Sequence, residues 1–120
     1  MADILSKIKI LEELARLGVD DEVFINAIDK LTSYKVDEFQ KDLEDIEVNL
    51  KKFEDKYGFE SKEFIEKFES GEMGDKIDFI EWVSLYDMQQ RVKERLNVVE
   101  GVKERLNLVE GGLNDSKLFF

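Results

Sequence analysis

From Val36 to Tyr57 the apolar positions advance in alternating steps of three and four: Val36, Phe39, Leu43, Ile46, Leu50, Phe53 and Tyr57. Such steps average about 3.5 residues and hold one apolar face along a helix, the pattern of a coiled-coil seam. Gly58 follows as a left-handed stop, with Phe59 placed to pack back on Phe53. Upstream, Ile4, Ile8, Leu11, Leu14 and Leu17 recur at helical spacing as far as Gly18. Asp20 or Asp21 then caps a second helix that carries Val23, Phe24, Ile28 and Leu31. These two elements predict a short helical hairpin over 1–33, closed by a break at Thr32 and Ser33.

Downstream, Ser61 is placed to N-cap a short helix with Phe64, Ile65 and Phe68 on its apolar face. Gly71 and Gly74 loosen the chain, and Asp75 with Asp78 has the spacing of a capping box for the last helix. That helix carries Phe79, Trp82, Leu85, Met88, Val92, Leu96, Val99, Val102, Leu106, Val109 and Leu113, and Arg95 stands in for one seam position beside Leu96. It also contains a tandem duplication: VKERLNVVEG at 92–101 is followed by VKERLNLVEG at 102–111. Ten residues are a heptad plus three, so the second copy is expected to continue the seam with a local overwinding. After Gly111 and Gly112 the segment 114–120 reads as a flexible tail.

The implied fold is all-α. It is an antiparallel coiled-coil-like helical hairpin with an N-terminal helix pair and a short connecting helix. One helical domain would cover 1–113, divided into 1–33 and 34–113. At 1.5 Å per residue the last helix, 76–111, spans roughly 54 Å, against roughly 33 Å for 36–57. About 20 Å of its seam is then left without cover, and an exposed apolar seam marks an interface. The expected partner-binding residues are Val92, Leu96, Val99, Val102, Leu106, Val109 and Leu113. They predict a homodimer or higher homo-oligomer through the last helix, or a bound protein partner.

Charge narrows the partner. The net charge is −11, and each third of the chain is acidic: 1–33 has 4 basic and 7 acidic residues, 34–76 has 8 and 14, and 77–120 has 6 and 8. With no basic face, nucleic-acid and membrane-surface binding are disfavoured, and a basic protein fits better. No apolar run has the length of a membrane span, and the first 16 residues lack the apolar core of a signal peptide, so a cytoplasmic location is expected. Lys and Glu enrichment without cysteine is compatible with a thermophilic source.

Cysteine and histidine are both absent, which removes thiolate and imidazole chemistry. No serine has a base to activate it. Two carboxylate patterns are worth testing. Ser70–Glu81 has Ile77 and Glu81 where a calcium loop places such residues, but Ser70, Gly74 and Asp75 break the rest of that pattern. Glu63/Glu66 and Asp75/Asp78 have the i, i+3 spacing of a metal-dependent nucleotide hydrolase. A solvated helix face explains both pairs as well. Neither a catalytic residue nor a metal or cofactor is therefore assigned.

Residues 53–88 carry a recognisable succession: Lys56-Tyr57-Gly58 closing a heptad helix, Ser61–Phe64, the loop Gly71–Asp75, and Glu81-Trp82 in an acidic, aromatic helix. This is similar to a family of small acidic helical proteins of archaea and bacteria that look like the antitoxin halves of two-gene toxin–antitoxin modules. The resemblance covers about 20–100, and the duplicated decapeptide and the LNDSKLFF tail lie outside its pattern. It implies a non-catalytic protein that binds and silences a small toxin. A metal-dependent hydrolase and a structural helical oligomer are the alternatives.

Overall fold

The computed structural model describes the backbone of residues 3–119 and the side chains of residues 3–106. Four helices follow one another: α1 (Ile4–Arg16), α2 (Glu22–Tyr57), α3 (Ser61–Glu69) and α4 (Ile77–Phe119). The protein is all-α, and its residues group into two compact units, Met1–Asp37 and Glu38–Phe120, divided within α2.

In the first unit, Asp3 caps α1 by accepting the Ser6 N–H at 2.8 Å. Gly18 ends it at φ 91°, a conformation that favours glycine. The Val19 N–H reaches back to the Leu14 carbonyl and the Gly18 N–H to that of Ala15, which completes a Schellman stop. Asp21 then caps α2 through the Phe24 N–H at 2.9 Å. The break expected at Thr32 and Ser33 does not occur, and α2 runs unbroken to Tyr57. Thr32 Oγ1 donates to the Ile28 carbonyl at 3.0 Å, so the hydroxyl is satisfied inside the helix. No residue of α1 is buried.

In the second unit the seam of α2 faces inward as its spacing requires. Ile46 and Leu50 are buried, and Phe39, Leu43, Phe53 and Tyr57 are half-buried. From α4 they meet Phe79, Trp82, Val92 and Leu96, all buried. The two helices run antiparallel: Tyr57 sits edge-on to Phe79 at 5.1 Å, Phe53 stacks on Trp82 at 5.6 Å, and Arg95 lies over the Phe39 ring at 5.8 Å. α3 packs on α4, with Phe64 stacked on Trp82 at 3.9 Å and an interplanar angle of 2°.

The polar groups around this core differ from the sequence expectation. Ser61 is not the cap of α3. Glu60 takes that place with extended backbone, and Ser61 is the first helical residue. Its N–H is held by the Glu54 carboxylate of α2 at 2.7 Å, and its hydroxyl accepts the Trp82 indole N–H at 2.9 Å. Asp75 does not cap α4 either, because the carbonyl of Lys76 accepts from Phe79 and Ile80. The Asp78 carboxylate accepts instead from Lys56 Nζ at 2.8 Å and Tyr57 Oη at 2.6 Å. Phe59 is covered by the Lys67 ammonium at 5.4 Å.

Two predictions follow from these bonds. Ser61→Ala leaves the buried indole N–H without an acceptor and should cost about 1–3 kcal/mol in urea unfolding. In a Trp82→Phe background the same change should cost markedly less, and equal costs would refute the assignment. Asp78 is held below the usual carboxylate range by Lys56 first and Tyr57 second. Its contribution is complete above the ordinary carboxylate value, about 4, and is lost as pH falls through the lowered value. Asp78→Asn should therefore melt below the wild type at neutral pH, with the gap closing on acidification; a pH-independent gap counts against the pair.

Candidate protein-binding face

The face proposed from sequence divides in two. Val92 and Leu96, 8% and 7% exposed, belong to the chain's own core, and Val99 is half-buried beside them. These three are therefore not an open surface. Their counterparts in the second decapeptide are Val102, Leu106 and Val109. At 3.6 residues per turn a shift of ten residues stops about 80° short of three full turns. A residue and its counterpart therefore face directions about 80° apart, although Leu106, one heptad after Val99, keeps to that residue's face; Val102 and Leu106 are 40% and 57% exposed. The apolar pattern thus runs on past Val99, with Val102 and Leu106 exposed where Val92 and Leu96 are buried. Val109 and Leu113, like the tail 114–120, lie outside the residues whose side chains are described.

Val98 is also exposed and lies on the same face as Val102 and Leu106 by helical spacing. With Arg91, Glu94, Arg95, Val99 and Phe39 it lines a shallow groove of about 440 Å³. Upstream, the seam slips by one residue: Gln89 turns half-inward while Met88 is exposed. Met88 borders a second groove of about 500 Å³ with Asp42 and Asp45 on one rim and Arg91 and Arg95 on the other. Charge is distributed unevenly across the unit. Residues 38–90 hold 16 acidic and 7 basic side chains, whereas 91–106 hold 5 basic and 3 acidic.

Parts of the two carboxylate patterns have structural uses. In the loop after α3, the Ser70 hydroxyl donates to the Lys67 carbonyl and the Glu72 N–H bonds the same carbonyl, with Gly71 at φ 83°. That is a helix stop followed by the start of α4. Asp78 is occupied by Lys56 and Tyr57. Among the described residues, no three carboxylates lie together in a way that could hold a metal ion. None of the described helices is long and apolar enough to cross a membrane.

No family model, no curated protein and no solved structure matches the chain.

Sequence reasoning missed the paired uses of Glu54, Ser61 and Asp78. Their partners stand 7, 21 and 21 or 22 residues away, so no local motif announces them. The difference in burial between the two copies gives a direct test. Val92→Asp buries an unpaired charge and should cost about 3 kcal/mol or more, whereas Val102→Asp should stay within about 0.5 kcal/mol. Comparable losses in chemical denaturation would mean that the seam continues through the duplication.

Proposed function

We propose that this chain is a non-catalytic protein-binding protein of the antitoxin-like kind, which masks a small protein partner. The observation that supports it is the run of Val98, Val102 and Leu106, three exposed apolar side chains that follow the buried Val92 and Leu96 along the same helix. The acidic stretch 38–90 would draw a basic partner towards the molecule, and the stripe would hold it by apolar contact. Arg91 and Arg95 beside Val98 add hydrogen-bond donors at the edge of that contact. They also disfavour pairing of the stripe with itself, because a two-fold contact centred on Val98 sets Arg91 against Arg105 of the other copy.

The test is co-purification with the product of the adjacent gene. The wild-type chain should retain that protein, and Val102→Asp/Leu106→Asp should weaken its retention at least about tenfold while the helical content is unchanged. Absence of a complex together with metal-dependent nucleotide hydrolysis would overturn the reading in favour of an enzyme.

A further inference from the structure

The two grooves beside α4 are parts of one. Arg91 and Arg95 border both, and along them the residue numbers on α2 rise from Phe39 to Asn49 as those on α4 fall from Val98 to Leu85. That is the order of an antiparallel pair, so the groove follows the line on which the two helices meet. At about 1.5 Å per residue, residues 85–98 make it roughly 20 Å long, the length of a helix of about 13 residues. Ile46 and Val92 are buried along its floor, while Met88 and Val98 stand 43% and 59% exposed at its edge.

The two rims carry opposite charge. Asp42 and Asp45 lie about 60° apart around α2, on one side of its seam, and Arg91 and Arg95 lie about 40° apart around α4. All four border the groove. The rims do not neutralise each other. Among the described residues no ion pair joins either aspartate to either arginine, and the Arg95 guanidinium lies over the Phe39 ring instead. A groove between two helices is filled by a third, as in a helical bundle. An extended segment would find no sheet edge to pair with, because the protein is all-α.

We propose that this groove seats an amphipathic helix of the partner, whose apolar face covers Met88 and Val98, with carboxylates on the edge towards Arg91 and Arg95 and bases on the edge towards Asp42 and Asp45. It rests on the protein-binding reading of α4 and names the element that the partner lays there. Net charge governs the partner's approach, whereas its two edges govern the seat. The rims also fix a direction. A helix turned end for end exchanges its edges, so a partner with one acidic and one basic edge fits in a single orientation.

Three synthetic helical peptides of about 18 residues, long enough to span the groove, test this by calorimetry against the full-length chain. They share one Leu/Ile face. The first has Glu along one edge and Lys along the other, the second has Glu on both edges, and the third has Lys on both. The wild type should bind the mixed peptide at least about tenfold more tightly than either uniform one. Asp42→Lys/Asp45→Lys should move the preference to the all-Glu peptide, and Arg91→Glu/Arg95→Glu to the all-Lys peptide, exchanges that a general disturbance of the fold would not produce. Met88→Asp should weaken the mixed peptide about tenfold with helical content unchanged. Tightest binding of the all-Lys peptide by the wild type, which the net charge of −11 alone would produce, overturns the proposal. So does equal binding of the three, binding of none, a preference that the rim exchanges leave in place, or a mixed peptide indifferent to Met88→Asp. Co-purification separates the groove from the reading beneath it. An adjacent gene product retained equally by the wild type and by Asp42→Lys/Asp45→Lys sinks the groove and spares that reading. Loss of co-purification with the peptide preferences intact removes the antitoxin-like partner and not the groove.

Discussion

The second unit depends on where the Trp82 side chain goes. Its indole is fully buried, stacked on Phe64 from α3 and flanked by Phe53 and Tyr57 from α2, so a single residue of α4 touches the other two helices of the unit. An indole carries a polar N–H that must find an acceptor when it is buried. Ser61 provides the acceptor, and Ser61 is fixed in turn because Glu54 holds its N–H. This polar chain links α2, α3 and α4 in one geometry. Apolar packing alone tolerates sliding, whereas a buried hydrogen bond has one satisfactory register. The Asp78 contacts to Lys56 and Tyr57 set the same register from the outer edge of the core.

The all-α class, the antiparallel hairpin and the inward positions of α2 were legible because each rests on periodicity. A step pattern of three and four identifies the buried face without knowledge of what covers it. Ile46 and Leu50 illustrate this: they lie mid-seam and are among the most buried residues of the chain. What was not legible rests on choices among equivalent local options. Thr32 and Ser33 look like a break, yet a threonine that bonds its own helix four residues back is compatible with continuation. Ser61 looks like a cap, yet Glu60 serves and frees the serine for tryptophan. Asp75 and Asp78 look like a capping box, yet Asp78 has two better donors in α2. In all three cases the alternative partner lies off the local window, or competes with it on nearly equal terms.

Exposure is as informative here as burial. The apolar side chains of α1 follow a helical pattern as regular as that of α2, and none of them is buried. Periodicity shows that a face is apolar, but it does not show that the chain itself provides the cover. In the second unit the cover for α2 is α4.

The duplicated decapeptide shows how strictly helical geometry controls the effect of an insertion. Repeats of 7 or 11 residues change the direction of an apolar stripe by only about 20°, so a partner helix can follow them with gentle supercoiling. A repeat of ten turns each counterpart by about 80°, so Val102 does not repeat the direction of Val92, whereas Leu106, one heptad after Val99, stays on the seam. Val92 and Leu96 are committed to the core, while Val102 and Leu106, the same residues ten positions on, are left open. The same residue types are buried in one copy and exposed in the next, so register and cover, not composition, decide which of them reach a core.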